Sequence, residues 1–122
     1  MPSRFPIPGQ PVRGSKTGKP IMALFDLLGR SWALGIVWQL SKAPMTFRQI
    51  QAACEQMSPT ILNRRLKELV ASGIVVRSDG GYCLSETGAE LFTILKPLGA
   101  WSQKWADQLS LENTGDSDTP PP

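Results

Sequence analysis

The sequence predicts a mostly α-helical domain carrying one small β-hairpin, and two patterns carry that expectation. From Pro20 to Leu109 apolar residues mostly recur at three- and four-residue steps, the period of a helix with one buried face. Between Ile74 and Ser85 the period changes to an extended pattern interrupted by Asp79-Gly80-Gly81, which reads as two strands joined by a tight turn. A chain of 122 residues is enough for one small domain, whose core gains from burial shared with a second copy.

Composition narrows the function classes. The net charge is +3, and its distribution matters more than its total. Residues 1–18 carry Arg4, Arg13 and Lys16 without an acid and are rich in Pro and Gly, so they are expected to form a flexible basic arm. Residues 112–122 carry Glu112, Asp116 and Asp118 without a base and end in prolines, an expected disordered acidic tail. The domain proper is expected over 19–111. Within it, Arg48, Arg64, Arg65, Lys67 and Arg77 outweigh Glu55 and Glu68 between Thr46 and Arg77, which favours a polyanionic partner. Histidine is absent, so the commonest general base and zinc ligand is missing, and neither catalysis, a metal site nor a cofactor is expected. Cys54 and Cys83 are too few for a zinc site and are expected to be reduced core thiols. No secretory signal or membrane-length apolar stretch is read, and a cytoplasmic location is expected.

The first helix is expected from Pro20 to Gly29. A second, SWALGIVWQLSK, is expected to open at Ser31, to close before Pro44 and to be buried nearly all round. Thr46, with Gln49 three residues on, forms a capping box for a third helix whose stripe is Phe47, Ile50 and Cys54. The short link Gln56-Met57-Ser58 leads to a fourth, the connection length of a helix-turn-helix. There Ser58 can cap, Pro59 suits the first turn, and Gly73 can close the helix in a left-handed conformation. Leu62, Leu66, Leu69 and Val70 line its inner side. Thr60, Asn63, Arg64 and Lys67 share its outer side, with Arg65 on the flank.

A basic outer face is ordinarily just solvated. Here acids are scarce on it, Arg and Asn are the side chains that pair bidentately with guanine and adenine, and a helix start can hold phosphate. The hairpin follows directly as a wing, with Asp79-Gly80 supplying positive φ and Arg77 within reach of a phosphate backbone. Thr87 and Glu90 suggest a further capping box for a last helix. Its Leu91, Leu95, Leu98, Trp101, Trp105 and Leu109 make more apolar surface than one small domain covers, so they are expected at a homodimer interface. Pro97 is expected to bend or split that helix.

These stretches, LFDLLGRSWALGIVWQL, MTFRQIQ, MSPTILNRRLKELVASGIV and YCLSETGAELF, together with the Trp101 region, resemble the HxlR-type winged helix-turn-helix regulators of bacteria, relatives of the MarR group. The resemblance implies a homodimeric transcription regulator that contacts double-stranded DNA through Ser58, Pro59, Thr60, Asn63, Arg64 and Arg65. Many members carry a Cys-Pro pair used in thiol sensing before the first helix; this chain reads Lys19-Pro20. Its wing is also shorter than the usual one.

The expected function is sequence-specific DNA binding, as a repressor on a pseudo-palindromic operator, through Arg48, Ser58, Pro59, Thr60, Asn63, Arg64, Arg65, Lys67 and Arg77. Two alternatives stay open: a winged-helix module that binds protein, and a small-molecule sensor with secondary DNA contact. For the latter, Trp32, Trp38 and Trp101 are the candidate pocket for a flat aromatic effector, although aromatics at helical spacing ordinarily pack a core.

Overall fold

The computed structural model describes residues 5–115, with side chains for 5–111. Among the described residues the order is α1 (Pro20–Leu28), α2 (Ala33–Leu40), α3 (Phe47–Ala53), α4 (Pro59–Ala71), β1 (Val75–Ser78), β2 (Gly81–Leu84), α5 (Glu86–Leu95) and α6 (Pro97–Gly115). This is a mostly helical winged helix-turn-helix with a two-stranded antiparallel wing. The chain divides into two compact units at Phe92 and Thr93, where the sequence suggested one domain over 19–111.

In the first unit, Pro20 stands at the start of α1, where its missing N–H and fixed φ cost nothing. The second helix begins at Ala33, later than the expected Ser31, because Trp32 adopts a left-handed conformation with φ 66° and stands outside the helix as its N-cap. The Trp32 ring then covers Gly35, where a Cβ would lie 2.7 Å from its Cε3 atom. Burial of α2 is also narrower than expected: Ala33, Ile36, Val37 and Leu40 are buried, whereas Trp32 and Leu34 are exposed. No single helix among the described residues is long and apolar enough to cross a membrane; only α1 and α2 together reach the length, across an 85° bend.

Helix α3 carries the expected capping box, with Gln49 N donating to Thr46 Oγ1 at 3.2 Å and Thr46 N to Gln49 Oε1 at 2.8 Å. The core joins Ile36 and Val37 to Ile50 of α3 and to Leu62, Leu66 and Leu69 of α4, all essentially inaccessible to solvent. Removing each such side chain from water contributes about 1.5–3 kcal/mol, so the inner side of α4 has a strongly fixed rotation. Val70 is only half-buried. After α4, Gly73 takes φ 84° and its amide donates to Val70 O, while Ile74 N donates to Leu69 O. This left-handed exit satisfies the terminal carbonyls.

In the wing, Val75 pairs with Leu84, Val76 with Cys83, Arg77 with Tyr82 and Ser78 with Gly81. Of the turn pair, Gly80 alone carries a positive φ, 78°; Asp79 does not, contrary to the sequence reading. The cap of α5 also differs. Ser85, not Thr87, accepts from Gly88 N at 2.9 Å, and the helix starts at Glu86. Ser85 is the better cap because its hydroxyl sits one residue before the helix, whereas Thr87 is already inside it.

The expected flexible arm is, over its described residues, an ordered turn. Gly9 N donates to Gly18 O, Val12 bridges Ser15, and Arg13 N donates to Asp26 Oδ2 at 3.1 Å. Phe5, Pro6 and Pro8 line an apolar cavity of about 150 Å3 with Pro20, Ala23, Leu24 and Leu27 of α1. These apolar side chains are what a basic, Pro-rich composition obscured.

In the second unit, α6 begins at Pro97, so the expected break falls there. The helix runs to Gly115, past the boundary set for the acidic tail, and 116–122 lie outside the described residues.

Candidate nucleic-acid interface

The turn between α3 and α4 sets the geometry. Glu55 and Gln56 both adopt positive φ, 57° and 56°, reversing the chain within a few residues. Gln56 N donates to Gln51 O at 2.9 Å, Met57 N to Cys54 O at 3.1 Å, and the Gln51 side-chain amide to Met57 O at 3.0 Å. Cys54 and Met57 are buried beneath it. The turn is thus held from outside by amides and from inside by apolar contact, which fixes α4 relative to α3.

Ser58 caps α4, accepting from Ile61 N at 3.4 Å, and Pro59 occupies its first turn. With Leu62, Leu66 and Leu69 turned inward, helical geometry turns Thr60, Asn63, Arg64 and Lys67 outward. All four are exposed, and they line one open hollow of about 370 Å3 with Glu68 at its edge. Among the described residues Arg64 and Lys67 form no ion pair, so the row presents two uncompensated cations and one amide. Arg48 is exposed on the first turn of α3. Arg77 is exposed on β1, its guanidinium carbon 5.8 Å from the centre of the Tyr82 ring across the hairpin. That cation–π contact restricts Arg77.

Arg65 departs from the sequence reading. Its side chain is 11% exposed and points into the fold, not toward the outer face. Nε donates to Ser31 O at 2.8 Å, Nη2 to Ser31 Oγ at 3.1 Å, and Nη1 to Glu68 Oε1 at 3.0 Å. The physical reason is Glu68, a carboxylate buried on α4 one turn ahead, which needs compensating charge. Arg30 supplies more, pairing with Glu68 Oε2 and lying 3.5 Å from Asp26 Oδ1, which Arg13 also approaches at 3.7 Å. The sequence did not single out Arg30 or Glu68; the one available signal was an acid alone among bases on α4.

The candidate dimer residues divide between the two units. Leu91 and Leu95 are half-buried, whereas Leu98, Trp101, Trp105 and Leu109 on α6 are between 42% and 58% exposed. Trp101 and Trp105 stack, with centroids 5.8 Å apart and planes within 15°. For the candidate effector pocket, Trp38 packs edge-on against Phe92 at 5.3 Å, Trp32 covers Gly35, and Trp101 is held in the Trp105 stack, so each ring already has a packing role. Cys54 is a free buried thiol whose pKa burial pushes up, with Glu55 adding to the shift; Cys83 is free and half-buried.

The chain is similar to known proteins. Residues 27–110 match the family described as HxlR-like helix-turn-helix. Over 94 residues the chain is 33% identical to YvaP of Bacillus subtilis, an uncharacterized HTH-type transcriptional regulator, spanning 71% of this chain and 87% of that protein. The quinone-bound structure of B. subtilis YodB is similar with a TM-score of 0.62 and 33% identity, over 70% of this chain and 97% of that one. A possible HxlR family transcriptional factor from Thermoplasma volcanium is similar with a TM-score of 0.65 and 30% identity, over 73% and 86% of the two chains.

Proposed function

The chain belongs to the HxlR-like helix-turn-helix family of DNA-binding transcription regulators, and from that premise we propose that it represses its target genes as a homodimer on a pseudo-palindromic operator. In this reading α4 enters the major groove. Asn63 and Arg64 meet base edges, Ser58, Pro59 and Thr60 approach a phosphate at the helix start, and Lys67, Arg48 and Arg77 neutralise flanking phosphates. The observation that carries the reading is the single exposed row Thr60, Asn63, Arg64 and Lys67, presented by a helix whose inner side is locked into the core. Arg65 is excluded from the reading set because its donors are engaged inside the fold.

Residues 19–111 are assigned to DNA binding and dimerisation together. The exposed apolar row of α6 supports a two-fold pairing, and the reading requires that pairing to set two recognition helices about 34–36 Å apart, one duplex turn. A location in the cytoplasm and the absence of enzymatic activity follow from the same reading. Selection of bound fragments from genomic DNA tests it: two half-sites in inverted orientation, about one turn between centres, are expected. Recovery of no enriched sequence would overturn it.

A second reading is favoured by one observation, that the related YodB is known in a quinone-bound form. A flat aromatic effector here would have to compete with existing ring contacts of Trp32, Trp38 or Trp101. Tryptophan fluorescence that saturates with a quinone and changes DNA affinity would support the sensor; no response leaves the plain regulator.

A further inference from the structure

Glu68 presents a problem that the proposed DNA contacts do not resolve. It lies on the recognition helix, one turn beyond Arg64, and borders the same outer hollow. At this spacing an acid is within pairing reach of the arginine four residues before it. Such a pair would withdraw Arg64 from a base edge, and an uncompensated carboxylate there would also repel phosphate. Neither happens, because both carboxylate oxygens are taken from the inner side: Oε2 by Arg30 and Oε1 by Arg65. The side chains of Arg30, Arg65 and Glu68 are 15%, 11% and 5% exposed, so this group is desolvated and its pairing is weakly screened by salt.

Resting on the reading of α4 as the DNA-reading helix, we propose that Arg65 and Arg30 are positioning residues that neutralise Glu68 and so keep Arg64 available to DNA, without touching DNA themselves. Arg65 does this from within α4, and its other donors tie the helix to Ser31 at the corner between α1 and α2. Arg30 does it from that same corner, where Asp26 steadies its guanidinium. The three cations Arg13, Arg30 and Arg65 alternate with Asp26 and Glu68, so no charge in the group stands alone.

This arrangement separates two roles that an arginine on a recognition helix can have. An arginine that meets a phosphate contributes to the salt dependence of binding, about 0.9 in the slope of log K against log salt for each contact. An arginine that only silences a neighbouring carboxylate contributes nothing to that slope. Its loss is instead reversed by removing the carboxylate.

The test measures affinity against salt for a duplex recovered by fragment selection, using the full chain, R65Q, R30Q, and each combined with E68Q. Far-UV circular dichroism and thermal unfolding accompany each titration. The proposal expects R65Q and R30Q each to weaken binding about tenfold with the slope unchanged, and E68Q to restore affinity to within about threefold in both backgrounds. If R65Q folds too poorly to assay, the R65Q/E68Q protein carries the test, and wild-type affinity with wild-type slope is the expected result. A slope reduced by about 0.9 in R65Q/E68Q shows that Arg65 meets a phosphate and overturns the proposal. So does an R65Q that folds and binds like the wild type, or a loss in R65Q that E68Q leaves in place. Failure of the wild type itself to select or bind any duplex refutes the DNA-reading assignment instead, and the two failures are thereby distinct.

Discussion

Met45 and Tyr82 exchange both backbone hydrogen bonds, Met45 N to Tyr82 O at 2.9 Å and Tyr82 N to Met45 O at 2.8 Å, which fastens the wing to the segment just before α3. The hairpin is therefore not a free flap. Its second strand is anchored one residue before the Thr46 cap, so the wing and the helix-turn-helix share a base.

Gly81 permits that approach, since a Cβ there would lie 2.6 Å from Met45 O. Gly81→Ala is expected to push the wing away from Met45, costing about 1–3 kcal/mol of stability. Denaturant unfolding measures the loss, and unchanged stability would show that the bridge is slack.

Gly88 meets a harder constraint. A Cβ at this position in the first turn of α5 would fall 2.0 Å from Ile74 O, a backbone atom with little room to move. Gly88→Ala is expected to destabilise by about 3 kcal/mol, more than Gly81→Ala, in the same unfolding measurement.

Cys54 is completely buried, and burial, aided by Glu55, raises its pKa. Folding then favours the neutral thiol. The unfolded chain ionises first as pH rises, so this contribution to stability is whole below the ordinary thiol pKa and declines above it. Alkylation of the native protein at mildly alkaline pH, read by mass spectrometry, is expected to label half-buried Cys83 before Cys54.

The apolar row on α6 predicts assembly. Trp105→Asp places a charge in the Trp101 stack and across the proposed seam, and is expected to yield a monomeric or aggregating species that loses tight operator binding. Sedimentation of the wild type as a monomer at micromolar concentration, or a dimeric Trp105→Asp protein with normal binding, would place this row elsewhere.

How much of this was legible in the sequence depends on the range of the interactions involved. The capping box at Thr46 and the Ser58-Pro59 start are local chemistry, encoded within a few residues, and the structure contains both. Helical period alone turned Thr60, Asn63, Arg64 and Lys67 outward. The inward turn of Arg65 was not legible, because its partner Ser31, and the Arg30 that shares Glu68 with it, are remote in sequence and periodicity does not report a buried carboxylate. The late start of α2 likewise depends on Trp32 in a conformation that few bulky residues adopt. The N-terminal turn was missed because its composition resembles a linker, while its order comes from Asp26 and the apolar surface of α1.

The central claim is that the outer row of α4 reads sequence, and competitive anisotropy titration of wild type and Arg64→Ala tests it most directly. The duplex recovered by selection is set against a scrambled duplex of equal length, over a range of salt. The account predicts steep salt dependence for both duplexes and a preference for the selected one in the wild type, with Arg64→Ala losing about 1–3 kcal/mol of that preference. Equal affinity of the wild type for both duplexes, or an Arg64→Ala protein that discriminates as well as the wild type, would contradict it.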